Sequence, residues 1–228
     1  MRVDTSFDFR SDAKGKDPDS WSPTLKAYQR YLYSKALPAG ETMALDEKLY
    51  WKGFQFSSDN ITHSFSRWDS YQHIISNVDQ SIISDYMAIA YSIGSEIIFP
   101  CYRVPGAQTI NQARGCNHRI RDRMDLTLEC IRRYYQGDNS PLYKCLCSYK
   151  PFFDLFVDFK GYVEFFHLQD LVTSNYSAVE YLTWFDGFHS NFPLPRTVEE
   201  YVDYIGRVMQ FIKARNERID AWCKMQSE

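Results

Sequence analysis

The stretch "TINQARGCNHRIRDRMDLTLECIRRYY", residues 109–135, decides how the rest of the chain is read. It sets six arginines (Arg114, Arg119, Arg121, Arg123, Arg132 and Arg133) against three acids, Asp122, Asp125 and Glu129. In its second half, Ile120, Met124, Leu128, Ile131 and Tyr135 fall on one helical face, and Leu126, Cys130 and Tyr134 fall on another. A helix apolar on two sides is largely buried, so the spacing predicts a core helix over about 119–135 with a narrow polar stripe. That stripe holds Arg121, Asp125, Glu129, Arg132 and Arg133. The i,i+4 pairs Arg121–Asp125 and Glu129–Arg133 are worth about 0.2–0.5 kcal/mol each when exposed. Arg114, Arg119 and Arg123 have no acid in such register. They fall at or just before the expected helix start, where free N–H groups and the positive end of the helix dipole favour an anion. Gly115 allows a close backbone approach, and Asn111 adds a polar contact. Two readings follow. Arg114, Arg119, Arg123 and Asn111 form an anion pocket, or the arginines and acids form a frame that holds a buried helix.

The remaining composition narrows the function. A chain of 228 residues is long enough for one substantial core, and 17% aromatic side chains set it among packed proteins rather than disordered ones. Its 26 basic and 29 acidic side chains leave a net charge of −3, which argues against general nucleic-acid binding. No run approaches the roughly 18 apolar residues of a membrane span, and the polar N-terminus lacks the apolar core of a signal peptide. The expectation is a cytoplasmic protein whose six cysteines are reduced thiols. Cys145 and Cys147 form a CxC pair with no partner pair, and His73, His118, His167 and His189 show no metal-ligand spacing. Neither pattern points to zinc.

Along the chain, "SPTLKAYQRYLYSK" starts a helix with Ser22 as N-cap and Pro23 in the first turn. Residues 41–66 read as short strands, including "YWKGFQF" and "ITHSFS". Two helices follow in "YQHIISN" and "DQSIISDYMAIAYSIG", with Gly94 placed to end the second. "SEIIFPCYRV" is the strongest strand. "SPLYKCLCSYKPFFDLF" predicts a helix broken at Pro151. "FKGYVEFFHLQDLV" fits a helix or a buried strand, and "SAVEYLTWF" fits a strand. Thr197 and Glu200 make a capping box for a long amphipathic helix that runs to about residue 224. The fold class is therefore α+β: one helix-rich domain over 1–228, with a small, mainly antiparallel sheet and a long C-terminal helix.

Two further clusters carry possible chemistry. Asp8 and Asp12, with Asp17 and Asp19 beyond them, are of the type that holds Mg²⁺ beside phosphates, or else they line a solvated loop. In "SSDNITHSFSRW", read as a strand, His63 and Arg67 share one face as acid/base and anion contact; the plainer reading is a surface strand. No P-loop, GxGxxG, GxSxG or kinase pattern is present.

Several segments together, "FDFRSD", "GKDPDS", "SPTL", "FSRW", "IIFP", "TINQARG", "DRMDLTLECIRRYY" and "GYVEFFHLQDLV", resemble a family of bacterial proteins classed as a domain of unknown function. The resemblance spans most of the chain and is most specific in "DLTLECIRR". It implies a bacterial, cytoplasmic, single-domain protein and brings no catalytic residue, substrate or cofactor. Two functions stay in view. One is the binding or processing of a small phosphate-bearing ligand, a nucleotide or a nucleic acid end, at Arg67, Arg114, Arg119 and Arg123, with Mg²⁺ on Asp8 and Asp12. The other is a non-catalytic module that docks a protein partner through its aromatic side chains.

Overall fold

Capping chemistry starts many of the helices of the computed structural model, which describes residues 3–43, 49–101 and 104–225. The helices are α1 (Pro18–Trp21), α2 (Pro23–Ser34), α3 (Gln72–Ile75), α4 (Gln80–Ile89), α5 (Ile110–Cys116), α6 (Met124–Gln136), α7 (Tyr143–Ser148), α8 (Lys150–Phe153), α9 (Phe159–Phe165) and α10 (Val198–Met225). The strands β1 (Tyr50–Trp51), β2 (Phe54–Asn60) and β3 (Glu96–Pro100) form one antiparallel sheet in the order β1-β2-β3. This is the expected helix-rich α+β fold. Ser22 Oγ accepts the Leu25 N–H at 3.0 Å, and Thr109 and Asp158 cap α5 and α9 in the same way.

The sheet follows from its turn residues. Lys52 and Gly53 both take positive φ (47° and 82°), the conformation that a two-residue hairpin between Trp51 and Phe54 requires. β3 is buried along its whole length, as the apolar run after Glu96 implies, and Glu96 is buried with it. β2 is shorter than the sequence indicates. Asn60 Oδ1 accepts the N–H of Thr62 at 2.8 Å, and this local turn takes the chain out of the sheet. Residues 61–67 are therefore not strand, and His63 and Arg67 do not share a strand face. Residues 44–48 and 102–103, within two of the expected strand regions, lie outside the described residues.

The arginine-rich helix begins five residues later than its apolar spacing predicts. Arg121 and Asp122 adopt left-handed backbone conformations (φ 52° and 59°), which no α-helix accepts. Asn117 organises that turn: its carbonyl accepts from Ile120 and Arg121, and its side chain accepts from the Arg119 N–H. α6 then runs from Met124 to a left-handed Gly137. Pro151 separates α7 from α8 as expected, and "FKGYVEF" is the helix of its two readings. "SAVEYLTWF" is not a strand; among the described residues its β contact is the isolated bridge Val172–Val179. Gly94 does not end α4, which stops at Ile89. A Cβ there would collide with the carbonyl of Ile212, so Gly94 serves a close approach to α10.

α10 is the spine of the core. Tyr201, Tyr204, Ile205, Val208, Ile212 and Ile219 are buried along it, and so is Arg215, at 0% exposure. The Arg215 guanidinium donates to the carbonyls of Phe166 (3.0 Å), Gly94 (2.8 Å), Glu96 (2.6 Å) and Ile93 (3.4 Å), and to the Tyr28 hydroxyl (3.2 Å). Among the described residues no carboxylate lies within ion-pair distance of it. Each buried acceptor left without a donor costs about 1–3 kcal/mol. Arg215→Leu should therefore lower the unfolding free energy by about 3 kcal/mol or more, read as a fall in the denaturant midpoint. Arg215→Lys should recover only part of it, because one ammonium does not reproduce the guanidinium fork.

Candidate functional site

The five-residue shift redistributes the arginines. Arg114 and Arg123, expected to lack acid partners, are both buried and both paired. Arg114 Nη1 lies 3.3 Å from the Asp122 carboxylate, and its other nitrogens donate to the Asp122 carbonyl and to Thr127 Oγ1. Gly115 does allow a close approach, but the group that comes close is the Asp122 carboxylate. Arg123 grips Asp125 with two nitrogens and also donates to the carbonyls of Trp184 and Pro193. Asp125 in turn accepts the Leu182 N–H at 2.9 Å. Both arginines are tie-bars: Arg114 holds α5 to the turn before α6 and to Thr127, and Arg123 with Asp125 pins the irregular segment 172–197 to the head of α6. Glu129 receives both Arg132 and Arg133, so the Glu129–Arg133 pair forms as its spacing indicates. Asn111 donates to the Asp59 carboxylate, and Arg119 is exposed.

Arg121 is the exception. The Arg121–Asp125 pair does not form, and among the described residues no carboxylate is within ion-pair distance of Arg121. Its Nε is buried without a hydrogen-bond partner, and its guanidinium stands 5.7 Å from the centre of the Trp68 ring. Trp68 borders a pocket of about 280 Å³. One wall is the segment leaving β2: Asn60, Thr62, His63, Ser64, Ser66, Arg67 and Trp68. The other is Tyr86, Met87 and Tyr91, at and just beyond α4.

Hydrogen bonds from α10 hold the first wall in place. Tyr204 donates to the His63 carbonyl at 2.9 Å, and Tyr201 donates to that of Ser64 at 2.7 Å. The His63 ring stacks on Phe65 at 4.8 Å, and its Nδ1 accepts the Phe65 N–H at 3.0 Å. Nδ1 is thereby unprotonated, so neutral His63 carries its proton on Nε2 and can only donate there. Burial lowers the His63 pKa below its ordinary value, which favours that neutral form. Ser64 and Ser66 share a hydrogen bond at 2.8 Å, and Thr62 and Tyr86 meet at 3.3 Å. No carboxylate is among the lining side chains. His63 and Arg67 thus meet at one pocket, through a turn rather than a strand.

The two aspartates proposed for Mg²⁺ are used separately. Asp8 is paired with Arg10, whose guanidinium stacks 3.1 Å above the Tyr91 ring. Asp12 accepts from the N–H and hydroxyl of Thr24 at the head of α2. Among the described residues no group of three or more His, Cys, Asp or Glu side chains is arranged to hold a metal ion. Among the described residues no helix is long and apolar enough to cross a membrane.

The sequence reading did not single out Arg121, Arg215 or Asp59 as sites. It also missed Lys35, whose Nζ donates to the carbonyls of Glu164 and Phe165 and to His167 Nε2. Burial pushes Lys35 down to about 7 and His167 down to about 2. A half-buried lysine of this kind is invisible in the sequence because its position, just after α2, carries no distinguishing pattern.

The chain belongs to a family of unknown function, DUF6994, whose model matches residues 3–219 and so includes the whole pocket and the arginine frame. No curated protein and no solved structure matches it.

Asp59, beside the frame, yields a pH test. Burial pushes its carboxyl up to about 7; Arg114 opposes this, while Asp19 and Asp122 add to it. The folded protein therefore keeps a proton that the unfolded chain loses near pH 4. The stability this proton confers is complete below pH 4 and is lost as pH rises toward 7. Asp59→Asn, which still offers Asn111 an acceptor, should melt progressively higher than the parent as pH is raised from 4 to 7, with a constant difference above that. Thermal melts of both proteins across this range check it.

Proposed function

We propose that the pocket between the β2 exit and α4 binds a phosphate-bearing ligand. The observation that carries this reading is a lining rich in donors and free of acids: Arg67, with Arg121 against Trp68, His63 Nε2–H and the hydroxyls of Ser64, Ser66, Tyr86 and Tyr91, with no carboxylate among the lining residues. Charge-assisted hydrogen bonds to an anion are stronger than those to a neutral ligand, and a wall without acids imposes no repulsion on it. Arg67 and Arg121 are suited to the role because, among the described residues, neither has a carboxylate within ion-pair distance. The binding set therefore differs from the sequence expectation. Arg67 remains, Arg121 enters, and His63 joins as a donor rather than as acid/base; Arg114, Arg123 and Asn111 are taken up by internal contacts, and Arg119 is not among the lining residues.

Calorimetric titration with phosphate and nucleotides tests the assignment. Hydrogen bonds to a charged group contribute about 1.5–3 kcal/mol, so Arg67→Ala and Arg121→Ala should each weaken binding by about tenfold or more. Arg67 is exposed, so its variant should keep the parental melting temperature. Affinity unchanged in both variants would remove the pocket from consideration.

A further inference from the structure

We infer that the ligand of this pocket is a phosphomonoester on a small planar group, a nucleoside monophosphate in size and chemistry, recognised without a divalent cation. The inference rests on the anion-binding reading above and makes it more specific in charge, size and shape.

Charge comes first. A phosphomonoester carries about −1.5 to −2 at neutral pH. Two guanidinium groups, Arg67 in the lining and Arg121 against Trp68, match that value. A nucleoside triphosphate carries more charge and is ordinarily gripped through Mg²⁺, which the protein holds by oxygen ligands that include a carboxylate. The pocket lining has no aspartate or glutamate to do this. Asp8, the acid tied to a pocket wall through Arg10 and Tyr91, is occupied by the Arg10 guanidinium at 2.8 Å.

Size and shape agree. A volume of about 280 Å³ falls just below the roughly 300–1,000 Å³ of ordinary small-molecule pockets. A space of that size fits one compact molecule. Trp68, Tyr86, Tyr91 and His63 supply four aromatic rings to the walls. Flat bases stack on such rings whatever their sequence identity. Two of the rings are themselves braced: Tyr91 by the stacked Arg10, and His63 by Phe65 at 4.8 Å. The phosphate would take Arg67, the serine hydroxyls and His63 Nε2–H, with the Arg121 charge held against Trp68 as its second counter-charge, leaving the planar group to the rings.

The experiment is calorimetry on the full chain with inorganic phosphate, AMP, GMP, CMP, UMP and ATP, each in the presence of Mg²⁺ and again in EDTA. At least one monophosphate should bind about tenfold or more tightly than inorganic phosphate, with the same Kd in both buffers. Trp68→Ala should remove that preference and leave inorganic phosphate affinity in place. The ligand series itself needs no variant, so a poorly folding Trp68 variant does not blunt the test. Monophosphates no tighter than inorganic phosphate would overturn the planar-group assignment and leave the anion pocket standing. Tight binding of ATP only with Mg²⁺ would overturn cation-free recognition and again leave the pocket. No binding by any phosphate compound would overturn both readings.

Discussion

A single guanidinium ties together parts of this fold that are far apart in sequence. Arg215 reaches from α10 to Tyr28 on α2, to Ile93, Gly94 and Glu96 at the entry to β3, and to Phe166 just past α9. A buried charge of this kind is tolerable only when dipoles replace the water it has lost. Here main-chain carbonyl oxygens perform that task. The Glu96 carboxyl, pushed well up by burial and by Asp59 and Asp19, does not relieve them of it. The arrangement also explains Gly94. Its missing side chain lets the backbone lie against the Ile212 carbonyl, and from there its own carbonyl reaches Arg215 at 2.8 Å.

A second layer of arginines does for the surface segment 172–197 what Arg215 does for the core. That segment has little regular structure, so its backbone groups lack ladder partners. Arg123 and Asp125 supply some of them, meeting the carbonyls of Trp184 and Pro193 and the N–H of Leu182. The arginine concentration that stands out in the sequence is thus mostly consumed in holding chain to chain. Of that stretch Arg119 and Arg121 have no carboxylate within ion-pair distance among the described residues, and Arg121, with Arg67 from the β2 exit, is the part the pocket can use. The pocket depends on the same spine: the α10 tyrosines that grip the His63 and Ser64 carbonyls keep the β2 exit open as a wall.

Local signals were legible in the sequence, and tertiary ones were not. Ser22 and Pro23 announced α2, Pro151 announced the break between α7 and α8, and Thr197 opened α10 by accepting the Glu200 N–H. The apolar spacing of α6 located its buried faces. It misplaced the start, because a turn with two consecutive left-handed residues leaves no mark in hydrophobic periodicity. That one error assigned Arg121 a partner and denied partners to Arg114 and Arg123. Likewise β2 was extended through His63 by its alternation, while the Asn60 side chain, a competitor for the backbone, ended it. Arg215 was unreadable for a different reason. An arginine on an amphipathic helix is ordinarily a solvent-facing residue, and only the fold reveals the ring of carbonyls waiting for it.

The position of α10 in the chain has a consequence for biosynthesis. The bonds that fix the pocket wall join residues 137 and 141 positions apart, and Arg215 reaches back 187 positions to Tyr28. At elongation rates of about 5–20 residues per second, the early segments wait on the order of ten seconds before their main partner leaves the ribosome. During that interval the apolar side chains that α10 will cover are open to solvent and to one another. The nascent polypeptide therefore cannot settle its core progressively from the front. Those side chains stay uncovered until α10 arrives, so early segments and α10 complete the core together.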